Sequence, residues 1–326
     1  MSRALKQSMK LLTLLFLILF NQITSAQTIS FEDSNLEIAI REIIRLPSGE
    51  VTKIHVDSIK RLDIRNRGIT SLKGLEFFKN LQLISADSNP ISDLSPLTDL
   101  KRLRVLNLGN GKISDLSPLS GLDSMYGIWI PGNEVSNLSP IKTLVSLEHL
   151  ILSKNKLTDI GPVSNLTNLV QLNLDYNELD NLSPLSGLSK LDKLSLHGND
   201  IIDISPLATL VALKHLDLRN NRIENLNALE SLTSLEKLFL WNNRIEHIST
   251  LSSMINLEWL ELGANVIVDI SPLSNLNKLK RLSINDNYIN FNAGSDALSF
   301  VESLQTKGTI VYYLPQQNYN YFKKLK

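Results

Sequence analysis

An asparagine returns every 22 residues in this chain, at Asn89, Asn133, Asn155, Asn177, Asn199, Asn221, Asn243, Asn265 and Asn287, and only Arg67 and Gly111 break the series. A period held in phase over most of a 326-residue chain points to one kind of architecture, a stack of like units. The unit is clearest from Leu191 to Leu210, with aliphatic side chains at Leu191, Leu194 and Leu196, then Asn199, Ile201, Ile204, Pro206, Leu207 and Leu210. Leu194 and Leu196 lie two apart, the spacing of a short strand with one face inward. All eleven units place an aliphatic residue at the first of these positions, and at the second only Ala86 is small. A buried Leu or Ile contributes roughly 1.5–3 kcal/mol, yet one unit cannot cover its own face. Neighbours must therefore stack, and their strands must pair into one parallel sheet.

The asparagine follows where the chain turns out of the strand. Its amide can bond backbone groups that leave the ladder, and stacked copies can bond one another. Where Gly111 stands instead, Asn110 is a candidate substitute. The second half of each unit reads Ile-x-Asp-Ile-x-Pro-Leu, as in Ile91–Leu97 and Ile267–Leu273. Aliphatics three apart suit a tight helical turn, and proline fixes φ at its start. Asp93, Asp115, Asp159, Asp203 and Asp269 recur with the unit, as turn and capping groups do and catalytic acids need not.

The ends depart from the period. Arg3, Lys6 and Lys10, the apolar run Leu11–Phe20 and Thr24-Ser25-Ala26 read as a secretory leader, residues 1–26, cleaved after Ala26. The run is too short for a membrane span. Residues 27–57 form an N-terminal cap: Phe31, Leu36, Ile40, Ile43 and Ile44 have helical spacing, Asp33 or Ser34 can cap the helix, Pro47 and Gly49 end it, and Val51, Ile54 and Val56 can add a strand. Repeats occupy 58–289. Residues 290–315 form a C-terminal cap, with a helix over Ser295–Gln305, a stop at Gly308 and a strand over Thr309–Leu314, followed by a polar tail at 316–326 without a membrane anchor. There is no cysteine, which removes disulfides and lipid attachment through an N-terminal cysteine. Without the three leader cations, 30 basic residues face 33 acidic ones, a balance that gives no reason to expect nucleic acid or an anionic membrane as partner.

These features predict an α/β solenoid: a leucine-rich repeat horseshoe with a concave parallel β-sheet, convex 3-10 or short helical turns, a helical N-terminal cap and a helix–strand C-terminal cap. The sequence resembles the internalin-type leucine-rich repeat proteins of bacteria in its 22-residue unit, its Asp-Leu/Ile-Ser-Pro-Leu element (Asp93–Leu97, Asp115–Leu119, Asp203–Leu207, Asp269–Leu273) and its helical cap after a leader. The leader implies a secreted or periplasmic protein, and the resemblance implies a secreted or surface-attached one that is non-catalytic and binds another protein through the concave sheet. No segment reads as the immunoglobulin-like domain or anchoring tail that many members carry. The end of the chain, Gly294-Ser295, a helix and Val311–Pro315, looks more like the caps of repeat proteins from other bacterial groups.

If Leu194 and Leu196 point inward, Lys193, Ser195 and His197 face the concave side, and so do their equivalents every 22 residues. All three tryptophans, Trp129, Trp241 and Trp259, fall on these rows. Large exposed apolar groups mark contact sites. Phe239, Trp241 and Trp259, on adjacent strands, are predicted to form one patch, with Arg219 stacked on Trp241 beside Asp217 and His197. Trp129 and Ile151, near Tyr126, make a second patch, and Pro131 and Gly132 are expected to disturb the end of that strand. Asp175, His197 and Ser195 could be drawn as a hydrolase triad. However, Ser195 and His197 stand two apart on a flat strand, with roots roughly 6.5–7 Å apart, and no nucleophile elbow is present. His149, His197 and His215 are spread over four units, too far to share a metal. No cofactor is implied. The second reading of the surface is an envelope or structural component that binds glycan, because aromatic rows also suit sugar rings.

Overall fold

A computed structural model describes residues 27–317; the leader expected at 1–26 and the tail beyond Gln317 lie outside the described residues. Twelve three-residue strands form one sheet: β1 (Arg61–Asp63), β2 (Leu83–Ser85), β3 (Val105–Asn107), β4 (Gly127–Trp129), β5 (His149–Ile151), β6 (Gln171–Asn173), β7 (Lys193–Ser195), β8 (His215–Asp217), β9 (Lys237–Phe239), β10 (Trp259–Glu261), β11 (Arg281–Ser283) and β12 (Ile310–Tyr312). They pair in parallel and in sequence order. Register advances by one repeat per strand, as in Leu62↔Ile84 and Leu260↔Leu282. The pairing continues past the repeats, with Leu282 opposite Val311, so the closing strand extends the same sheet. The architecture is a leucine-rich repeat horseshoe. Among the described residues, no helix is long and apolar enough to cross a membrane.

Each unit buries the same side chains. Leu191, Leu194, Leu196, Ile201, Ile204, Leu207 and Leu210 are all at most 2% exposed. On the convex side, Ser95–Leu97, Ser117–Leu119, Ser139–Ile141 and Ser183–Leu185 are 3-10 turns with proline in the first turn. The recurring aspartates cap them: Asp93, Asp115, Asp203 and Asp269 each accept from the backbone N–H two residues on at 2.8 Å, and Asp159 from Gly161 at 2.7 Å. Asn137, Asn181 and Asn225 do the same work elsewhere.

The periodic asparagine side chains are buried and bond backbone, not one another. Asn199 accepts from Leu179 N–H at 3.1 Å and donates to the carbonyls of Leu174 at 3.1 Å and Leu196 at 2.9 Å. Each amide thus ties its own strand exit to that of the preceding unit. Gly111 has no amide to offer the preceding unit, and Asn110 does not replace it. Instead, Ile91 N–H turns to the Asn89 carbonyl at 2.8 Å, a tighter local bond that keeps the donor paired.

The residue before each of these positions is left-handed. Asn66, Ser88, Asn110, Gly132, Lys154, Tyr176, Gly198, Asn220, Asn242, Ala264 and Asp286 all have φ between 52° and 70°. This corner turns the chain from the sheet toward the convex side in every unit. It was not visible in the sequence because packing holds Lys154, Tyr176 and Ala264 in a region that ordinarily favours Gly and Asn. Pro131 leaves the ladder intact. In several other units the N–H at its position bonds a nearby side chain, as those of Gly109, His197 and Arg219 do, so no ladder donor is lost, and its carbonyl still accepts from Asn110 N–H at 2.7 Å.

The N-terminal helix α1 (Ser34–Ile44) is capped by Asp33, which accepts from Asn35 and Leu36 N–H at 2.8 and 3.0 Å. It stops at Arg45, which is left-handed (φ 57°) and returns its N–H toward Arg41 and Glu42, before Pro47 and Gly49 are reached. Val51–Val56 is not a strand. Thr52 forms a single antiparallel bridge to Thr28, and Lys53–Val56 is a helical turn, α2, in which Thr52 N–H donates to the His55 ring at 3.0 Å. Val51 and Val56 are buried while Ile54 is 71% exposed, a helical arrangement, not a strand-like one. The C-terminal helix α3 (Asp296–Thr306) starts from Ser295, whose hydroxyl accepts from Leu298 N–H at 3.2 Å, and buries Val301 and Leu304.

Asp33 also joins the cap to the first repeat, accepting from both Thr70 N–H and Thr70 Oγ1 at 2.7 Å. Burial works to raise its pKa, but the bonds from Thr70 and Leu36 outweigh it and hold the carboxyl below its ordinary value. A depressed carboxyl stabilises fully above its unfolded value, near 3.9, and loses that contribution as pH falls through the folded value. Asp33→Ala is therefore expected to cost about 1–2 kcal/mol at pH 7. The gap to wild type should begin to narrow below about pH 4 and go on closing as pH falls through the lower folded value, read by denaturant unfolding across that range. A gap that is independent of pH would remove the carboxylate from the account.

Candidate ligand-binding face

The side chains flanking each buried strand centre lie on the concave face. Phe239 and Trp259 meet edge to face, with ring centroids 5.1 Å apart. Arg219 lies over Phe239 at 5.2 Å, not over Trp241 as the sequence suggested. Carboxylates decide its direction: Asp217 grips it from the same strand at 2.5 Å, and Glu261 approaches at 3.7 Å. Glu261 also accepts from Trp259 Nε1 at 3.1 Å. The aromatic patch is thus divided. Phe239 and Trp259 line one depression with Lys193, His215 and Lys237. Trp241 lines another, of about 530 Å³, with His197, Arg219, Asn285 and Tyr312. Among the described residues, Trp241 has no ring contact with Phe239 or Trp259.

Trp241 is 38% exposed and lies against Gly263, where an added Cβ would stand 2.8 Å from its ring. Trp129 folds over Gly127 in the same way, with 2.0 Å to an added Cβ. Two concave glycines therefore seat two tryptophans, a signal the sequence carried only as interruptions of the rows. Trp129 also stacks on His149, at 5.6 Å and 22°. Tyr126 Oη meets His149 Nε2 at 2.9 Å. Ile151, opposite Trp129 on the next strand, is half-buried beside this group.

The polar groups are committed to one another. Ser195 Oγ donates directly to Asp175 at 2.5 Å, and the same oxygen accepts His197 N–H at 2.8 Å. The His197 ring faces Asn220 at 2.5 Å and packs against Tyr176 at 4.6 Å. Asp175 therefore holds the serine and a backbone amide, and the imidazole stands apart from both, which is not a proton relay. Burial, and next the ammonium groups of Lys237 and Lys193, push the His215 imidazole below its ordinary pKa, so it is neutral at pH 7. Among the described residues, no three His, Asp or Glu side chains converge as a metal site.

The family model for leucine-rich repeats in two copies matches residues 79–121, 145–187, 189–231 and 211–253. The chain is similar to an internalin (inlF) from Listeria monocytogenes, at 28% identity, over 93% of this chain and 97% of that one, with a TM-score of 0.78. It shares its fold with a leucine-rich repeat protein of Leptospira interrogans, at 21% identity, over 81% of this chain and 80% of that one, with a TM-score of 0.59. No curated protein sequence matches it.

Proposed function

The chain is a leucine-rich repeat protein of the internalin type, a fold that typically mediates protein–protein interaction, and from that premise we propose that it is a secreted or periplasmic, non-catalytic protein that binds another protein through its concave face. The contact is centred on Trp241, Trp259 and Phe239, with Arg219, Asp217 and His197 as its polar surround and Trp129 with Ile151 as an outlying contact. One observation carries the reading: Trp241, the largest side-chain type, is exposed on a sheet whose other face is closed by the core. An exposed ring held in place loses little entropy on binding, which is why such residues dominate interfaces.

The test is retention of proteins from envelope extract and culture medium by the chain from Gln27 onward, with the Trp241→Ala/Trp259→Ala variant run beside it. Each buried anchor is worth about 2 kcal/mol or more, so the variant should bind at least about a hundredfold more weakly with its melting temperature unchanged. Equal recovery by both proteins overturns the concave assignment. The second reading, glycan binding, has its own support: the exposed Trp241 ring stands beside the hydrogen-bonding groups of His197, Asn220, Ser283 and Asn285, which suits a sugar ring. Loss of polysaccharide retention alone would decide for it.

A further inference from the structure

Arg281 is held between two aromatic rings without being neutralised, where Lys237 on the same row has one ring, that of Trp259, at 5.9 Å. Arg281 sits on β11 with Trp259 of β10 on one flank and Tyr312 of β12 on the other, its guanidinium carbon 4.6 and 5.1 Å from their ring centroids. Arg219, by contrast, is closed by Asp217 and Glu261, Lys280 pairs with Glu258 at 2.8 Å, and Lys214 with Asp192 at 3.6 Å. No carboxylate pairs with Arg281 among the described residues. Its Nε is buried with no hydrogen-bond partner, an arrangement that is costly to leave unmade. The nearest acidic neighbour in the depression, Glu261, is already engaged by Trp259 Nε1 and Arg219.

Resting on the concave-face reading, we infer that the depression beside Trp241 accepts a single carboxylate, the side chain of an Asp or Glu on the protein partner, with Arg281 as the receiving group. A guanidinium is a planar fork that matches a carboxylate in two-point contact. The flanking rings hold it flat beforehand, so little rotamer freedom remains to be lost when the anion arrives. Glu261 lines the same depression and disfavours a second negative charge more than a first, even with Arg219 beside it. The exposed ring of Trp241 lines the same depression and supplies an apolar seat for the residue next to the acidic one, the pairing found on a protein surface.

The inference is tested by selecting a random peptide display library on the full chain, then measuring the recovered peptides on the wild type, Arg281→Gln, Arg281→Lys and Trp241→Ala. The expected result is an Asp or Glu at one shared position next to an apolar residue. Arg281→Gln should then weaken binding about ten- to a hundredfold, with Arg281→Lys in between. Changing the peptide acid to its amide should cost as much on the wild type and nothing further on Arg281→Gln. Peptides that need Trp241 but are indifferent to Arg281→Gln overturn the carboxylate and leave the concave reading standing. Peptides indifferent to both substitutions overturn both. Retention of uronic-acid glycans in place of any peptide overturns the protein partner in favour of a sugar acid.

Discussion

Asn199→Ala is expected to destabilise the fold by about 2–4 kcal/mol, more than a surface polar substitution costs by several-fold. The amide accepts from Leu179 N–H and donates to the carbonyls of Leu174 and Leu196, which also accept from Asn177 and Asn221. Alanine orphans the buried Leu179 N–H, at about 1–3 kcal/mol, and removes one of two bonds at each carbonyl, at about 0.5–1.5 kcal/mol apiece before water or relaxation recovers part of it. Asn199→Asp separates geometry from chemistry, since a carboxylate can take the Leu179 N–H but turns an oxygen toward two carbonyls. It should be as damaging as alanine or more so. Urea unfolding of the three proteins reads the result directly. A loss below about 1 kcal/mol would mean that the strand exits are held by the sheet alone. The reverse change, Gly111→Asn, is not expected to gain stability: an added Cβ would stand 2.8 Å from Asn133 Oδ1 and 3.0 Å from the Ile91 carbonyl, and Ile91 N–H is already paired within its own turn.

The second large effect lies at the junction of cap and repeats. Phe78 is fully buried where the following units carry Leu100, Leu122, Leu144 and their equivalents. Phe78→Ala is expected to cost about 3–5 kcal/mol, the transfer energy of the ring together with the cavity it leaves. Phe78→Leu restores the residue of every following unit but the one with Met254 and should cost less than about 1.5 kcal/mol. The first repeat has a repeat on one side and α1 on the other, so the alanine variant should also release the cap before the remainder unfolds. Amide exchange would show protection lost first in residues 34–44. Uniform loss along the chain would instead mark the stack as a single cooperative unit.

What could be read from the sequence was whatever every unit must solve alike. Leu194, Leu196 and Asn199 recur because each unit faces the same burial and the same unpaired backbone groups, and eleven repetitions average out local exceptions. Single occurrences offered no such averaging. Val51–Val56 has alternation enough for a strand, and it is the bonds of Thr52 N–H to the His55 ring and of Asp57 N–H to the Lys53 carbonyl that close it as a helical turn. Arg45 ends α1 ahead of the proline because a non-glycine residue adopts the left-handed region there. On the concave face the rows gave positions but not directions. Arg219 follows Asp217 and Glu261 rather than the larger ring of Trp241, and Trp129 and Trp241 follow the space that Gly127 and Gly263 leave. Side-chain direction there depends on neighbours one unit away, which a single period cannot display.

The unbroken register of the sheet has a metric consequence. Trp129 stands on β4 and Phe239 on β9, five pairings apart with no slip between them, so the two aromatic groups are separated by roughly 24 Å along the sheet at about 4.8 Å per strand. Because each unit bonds its neighbours through the same groups, loss or duplication of one 22-residue segment between them would shift that interval by a single step while leaving both groups intact. The protein is in this sense graduated: its two aromatic groups could be re-spaced in fixed increments by copying sequence, with no residue of either changed.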